Sequence, residues 1–202
     1  GCEARGNVTP DTRKGYLISE FGGQQFPAEC GMIFTNGIKG GSGMLQIQQL
    51  TKRYGEKTAV DALTLTIRPG EIFGFIGPNG AGKTTTLKCC CGILQPDSGE
   101  VRVDGISVRE DPLAAKRELA YLPDNPDLYH YMTGIQYLDF IADIFGVSDA
   151  ARAERVRMYG ERFGLTGALA QPIGDYSHGM KQKLAIISAL LHAPKLILMD
   201  EP

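Results

Sequence analysis

Eight residues, Gly77-Pro78-Asn79-Gly80-Ala81-Gly82-Lys83-Thr84, constrain this chain more than any other stretch. They directly follow an apolar run, Ile72-Phe73-Gly74-Phe75-Ile76, that reads as a short buried strand. Glycines at 77, 80 and 82 let the backbone N–H groups turn inward, and without a Cβ in the way those groups approach phosphate oxygens closely. A glycine cluster by itself only closes a turn. Here the complete G-x-x-x-x-G-K-T pattern sits between a strand and a predicted helix at 83–91, and the set points to a polyphosphate cradle. Lys83 would place its ammonium on the β- and γ-phosphates, Thr84 would give its hydroxyl to Mg²⁺, and the helix N-terminus would add its positive dipole end. The candidate nucleotide contacts run from Gly77 to Thr85.

The totals bound the rest. A chain of 202 residues, 43% hydrophobic and 22% charged, has the composition of one ordinary globular domain with a sizeable core. Its best late apolar stretch, 184–191, falls well short of the roughly 20 residues a membrane helix needs. With 21 basic against 23 acidic residues there is no general field for nucleic acid or an anionic membrane, so no direct nucleic-acid partner is expected. The cysteines, Cys2, Cys30, Cys89, Cys90 and Cys91, form neither a C-x-x-C pair nor a spaced disulfide framework. Neighbours on a helix point about 100° apart, so the run of three cannot chelate one ion and is expected to pack as small residues. With no apolar signal region at the N-terminus, a reducing cytosol is expected.

Along the chain, residues 1–43 show scattered glycines and no sustained period, and they are expected to lie outside the fold. Strand-like alternation starts after Met44. The preceding Lys39-Gly40-Gly41-Ser42-Gly43 is what a purine-rich ribosome-binding site read in frame would encode. The expectation is that Met44 is the true start and that 1–43 are translated leader or an artefact of expression; the alternative is a genuine disordered extension. Strands are predicted at 45–50 and 63–67, with Pro69-Gly70 turning the chain into the strand before the phosphate loop, and a hairpin at 100–105.

Beyond Asp111 the character turns helical: 112–118, a short strand at 119–122 ended by Pro123, an apolar helical face at 135–145, and a second helix at 148–163. Met132, Tyr137 and Phe140 are expected in core packing or partner contact. The last stretch, Leu196-Ile197-Leu198-Met199-Asp200-Glu201-Pro202, is a fully apolar strand ending in two carboxylates. Buried parallel strands look like this, and ligands sit at their carboxyl ends. Asp200 is thus a candidate for Mg²⁺ and Glu201 for orienting a water.

Four pieces in this order, Tyr54, the 77–84 loop, Tyr176-Ser177-His178-Gly179-Met180-Lys181-Gln182, and the acidic strand, resemble the nucleotide-binding subunit of an ATP-binding cassette (ABC) transporter. The third piece decides the family, because many nucleotidases share the other loop and strand. The resemblance covers about 45–202. It implies an α/β fold: a P-loop NTPase core with an antiparallel β piece and a helical subdomain inserted at about 124–190, in a partial domain spanning 44–202. It further implies ATP and Mg²⁺ as cofactors, adenine stacked on Tyr54, and Ser177 and Gly179 lent to the γ-phosphate of an opposite subunit in a head-to-tail homodimer. Lys83 and Glu201 would be the catalytic pair, with Thr84 and Asp200 on the metal. A separate membrane-spanning permease would be the partner, and the location would be cytoplasmic, on the inner face of the membrane.

The sequence departs from the family in three places. Tyr176, His178 and Met180 stand where the signature has leucine, glycine and glutamine. Asp124 stands where the family has a glutamine near Mg²⁺; it could ligate through water but cannot donate an amide hydrogen bond. Pro202 ends the chain at the Walker B strand, before the family's serine-leucine-aspartate loop and switch histidine, so the closing part of the fold is expected to be missing. The variant signature is most similar to bacterial exporters. Two alternatives remain at this point: a soluble cassette ATPase acting on ribosomes or in DNA repair, and a fragment that binds nucleotide without turnover.

Overall fold

A computed structural model describes residues 17–20, 30–35 and 44–200. Among them are nine strands in two sheets and five α-helices. They divide into two units, Gly1–Asp124 with Lys195–Pro202, and Asn125–Pro194.

In the first unit, β3 (Leu45–Tyr54) and β4 (Lys57–Ile67) form a long antiparallel hairpin, and β6 (Ser98–Val103) with the short β7 (Ile106–Ser107) completes a four-stranded sheet. The β3/β4 register slips between Ile47 and Leu50 and again beyond, and Gln49 has a φ of 48°. These bulges break the alternation. The sequence therefore predicted a strand ending at residue 50, whereas β3 runs on to Tyr54.

The second sheet has the order β1 (Leu17–Glu20), β5 (Ile72–Ile76), β2 (Cys30–Thr35), β9 (Leu196–Met199), β8 (Leu119–Leu122). β2 runs antiparallel to both β5 and β9, and β8 is parallel to β9. So β5, β8 and β9 all point the same way, and their carboxyl ends share one edge. Helix α1 (Lys83–Cys90) follows β5, and α2 (Pro112–Glu118), N-capped by Asp111, leads into β8.

β1 and β2 correct one expectation. The sequence puts residues 1–43 outside the fold, yet Met32 and Ile33 lie buried in the sheet, and the Thr35 hydroxyl lies 2.8 and 2.9 Å from the carbonyls of Arg68 and Glu71 and accepts from the Glu71 N–H. A strand covered on both faces is apolar without alternating, so the period that marks a half-buried strand is absent. Lys39 to Gly43, the proposed ribosome-site remnant, lies outside the described residues. The core here joins Ile33, Leu45, Ile47, Phe75, Leu87, Val103, Leu196 and Leu198, with Cys89, Cys90 and Cys91 buried among them. Packing is what the sequence predicted for the three thiols.

The second unit holds α3 (Gly134–Ile144), α4 (Asp149–Arg162) and α5 (His178–Leu190). Their starts are written locally: Thr133 and Gln136 form a reciprocal capping box, and Ser148 and Ser177 cap α4 and α5. Arg152 bridges Asp139 and Asp143, and Arg155 donates to the Leu191 carbonyl beyond α5. Tyr129 meets the edges of Tyr137 and Phe140, with ring centroids 6.1 and 5.7 Å away.

Candidate functional site

The phosphate loop is built as its residue types require. Gly80 and Gly82 have φ of 83° and 92°, a region that side chains with a Cβ avoid, and Gly82 is the residue that opens α1. No acidic residue lies in the first turn of α1, so its N-terminal dipole end is left positive for an anion. Lys83 is buried, and its Nζ donates to the Gly77 carbonyl at 2.5 Å, which folds the ammonium back across the loop. Thr86 Oγ1 donates to the Gly82 carbonyl at 2.9 Å and ties the helix start to the loop.

Tyr54, Lys57 and Ala59 join Pro78, Asn79, Gly80, Ala81, Gly82, Lys83, Thr84 and Thr85 around one cleft of roughly 210 Å³. Tyr54 and Lys57 are directly paired across the β3/β4 turn. The Tyr54 ring is half exposed, with the Lys52 ammonium 5.8 Å from its centroid. An aromatic face and a nest of N–H groups thus border the same space. The sequence reading missed Lys57 and Ala59, because their position depends on the hairpin folding back on Tyr54.

Asp200 is buried at the carboxyl end of β9, its N–H donating to the Leu122 carbonyl at 2.9 Å. Thr84 donates its hydroxyl to Asp200 Oδ1 at 2.9 Å, and Tyr121 donates its phenol to Oδ2 at 3.3 Å. Burial, with the Asp200 charge beside it, pushes the Tyr121 phenol well up, so it remains a donor. Tyr121 was not singled out by sequence. Thr84 and Asp200 together present hard oxygen donors, the set Mg²⁺ takes when phosphates supply the rest. Among the described residues no group of three or more His, Cys, Asp or Glu could hold a metal ion.

Asp124 is exposed just past β8, on the edge where β5 and β9 also end. Glu201 lies outside the described residues. In the helical unit, Ser177 accepts from the Met180 N–H at 3.3 Å, and Ser177, His178 and Gly179 are all exposed at the start of α5. Tyr176 is buried, its hydroxyl donating to the Ala168 carbonyl at 2.7 Å, so the residue standing for leucine anchors the signature from below. Helix α5 begins at His178, directly behind its cap at Ser177.

A family profile described as ABC transporter matches residues 60–202. The chain is 36% identical over 162 residues to the probable multidrug ABC transporter ATP-binding protein YbhF of Escherichia coli, an overlap covering 80% of this chain and 28% of that protein. It is 35% identical over 161 residues to the bacitracin transport ATP-binding protein BcrA of Bacillus licheniformis, covering 80% and 52%. A solved structure described as the ATP binding subunit of an ABC transporter superposes with a TM-score of 0.67 at 29% identity, over 75% of this chain and 63% of that one. The chain spans about half or less of the length of these curated relatives.

Proposed function

This chain belongs to the ABC transporter family, and from that premise we propose that it is the ATP-binding and ATP-hydrolysing part of a transporter of bacterial exporter type. The observation that carries the reading is the grouping of Tyr54, the Lys83 loop and the Thr84–Asp200 pair within one unit.

Adenine stacks on Tyr54, and the triphosphate lies along the N–H groups of residues 77–85. Lys83 exchanges its Gly77 carbonyl for β- and γ-phosphate oxygens. Thr84 and Asp200 would hold Mg²⁺, with Asp124 a further oxygen ligand through water, and the ion would neutralise charge on the transferring phosphoryl group. Glu201 orients the water for in-line attack. Catalysis here is mostly positioning and charge stabilisation.

The exposed Ser177 hydroxyl and Gly179 N–H serve the γ-phosphate of a second copy, arranged head to tail about a two-fold axis. No helix among the described residues is long and apolar enough to cross a membrane. In this reading, closure and opening of the dimer are passed to a separate permease, with the chain on the inner face of the membrane. The test is ATP-driven dimerisation of the intact Glu201→Gln protein, followed by light scattering alongside phosphate release. The reading requires a stable dimer with no turnover; normal hydrolysis by that variant would overturn the assignment of Glu201.

A further inference from the structure

Strand β8 carries a tyrosine that the nucleotide reading leaves without a task. Tyr121 lies opposite Leu198 in the parallel β8/β9 pair, and Asp200 follows Leu198 by two residues, so both side chains leave the same face of the sheet. Thr84 of α1 meets Asp200 on that face. The buried carboxylate is thereby gripped at both oxygens: Oδ2 by the phenol at 3.3 Å and Oδ1 by the Thr84 hydroxyl at 2.9 Å.

A buried carboxylate needs partners for its lone pairs, and which partner takes which oxygen decides where the remaining lone pairs point. With Oδ2 tied to β8, rotation about the bond to the carboxyl carbon is restricted, and Oδ1 stays turned toward the phosphate loop. A ring that only filled space would not need its hydroxyl.

We propose that Tyr121 is a positioning residue for the divalent cation that accompanies the nucleotide, fixing the Asp200 carboxylate so that Oδ1 faces Thr84. This rests on the reading of Asp200 as the Mg²⁺-facing carboxylate. Tyr121 touches neither nucleotide nor cation in this role; it acts through Asp200.

The experiment is a Mg²⁺ titration of fluorescent ATP-analogue binding to the intact protein, wild type against Tyr121→Phe. Outer partners of a metal ligand typically change metal affinity by about 10- to 100-fold. The half-saturating Mg²⁺ concentration rises about tenfold in Tyr121→Phe, while analogue affinity in EDTA stays within about twofold, because the phosphate loop is untouched. Combining Tyr121→Phe with Asp200→Asn costs no more than Asp200→Asn alone, since the phenol has no carboxylate left to orient. Should Tyr121→Phe lose EDTA binding through misfolding, Tyr121→His, which keeps a ring donor, falls between wild type and Asp200→Asn. A Mg²⁺-dependent wild type with an unchanged titration in Tyr121→Phe overturns this inference alone. A wild type whose nucleotide affinity ignores Mg²⁺ overturns the reading of Asp200 as well.

Discussion

The Thr84 hydroxyl donates to Asp200 Oδ1 at 2.9 Å, joining the phosphate loop to the end of β9 across 116 positions of sequence. Two oxygens from opposite ends of the fold thus face one point. Thr84→Val keeps the branched shape and removes the hydroxyl. It is expected to lower ATP affinity in Mg²⁺ by about tenfold, the equivalent of about 1.5 kcal/mol for a hydrogen bond to a charged group, and to leave affinity in EDTA unchanged. Nucleotide titrations with and without Mg²⁺ check this.

Gly134 opens α3 under the Tyr176 ring: a Cβ built there would lie 2.3 Å from the Tyr176 hydroxyl oxygen and 3.3 Å from Leu169 Cα. That hydroxyl is held by the Ala168 carbonyl and cannot swing aside freely. Gly134→Ala is expected to destabilise by about 1–3 kcal/mol through overpacking, and Tyr176→Phe alone by about 1 kcal/mol. The double variant recovers part of the loss, because the atom in the way is gone. Urea midpoints of the four proteins form the double-mutant cycle.

Ile33 tests the strand that the sequence did not reveal. It is fully buried, and its neighbours in the sheet are Phe73 of β5 and Leu198 of β9. Ile33→Ala is expected to cost about 2–5 kcal/mol, read as a lower urea midpoint. An unchanged midpoint would mean that residues 30–35 do not sit between those strands.

What the sequence made legible was what is written locally. The phosphate loop was recognisable because residue type, spacing and flanking elements all agree, and α3 and α4 begin next to their predicted starts because Thr133 and Ser148 are caps. β2 was missed because burial on both faces erases alternation. Tyr121 was missed because its partner lies 79 positions away. The Tyr54–Lys57 turn was hidden by the bulges around Gln49, which shift the strand's period before it reaches the cleft.

The buried thiols carry a pH dependence of defined sign. Burial raises Cys89 from 9.0 to about 11 and pushes Cys90 and Cys91 up as well. An acid whose pKa is higher when folded holds its proton more tightly in the native state. The stability from neutral Cys89 is therefore complete below pH 9.0 and is lost as pH rises through about 11. Since the thiolate is the nucleophile, iodoacetamide at about pH 8 is expected to leave Cys89, Cys90 and Cys91 unmodified in native protein and to label them in urea. Peptide mass spectrometry reads the difference; rapid native labelling would contradict their burial.

The central claim is that the loop tipped by Lys83 binds a triphosphate. Its most direct test is calorimetric titration of Mg-ATP into the intact protein and its Lys83→Ala variant. A saturable wild-type isotherm and an affinity about 10- to 100-fold weaker in the variant, the expected loss of about 1.5–3 kcal/mol from a charge-assisted contact, is the predicted result. Equal affinities in the two proteins would contradict it.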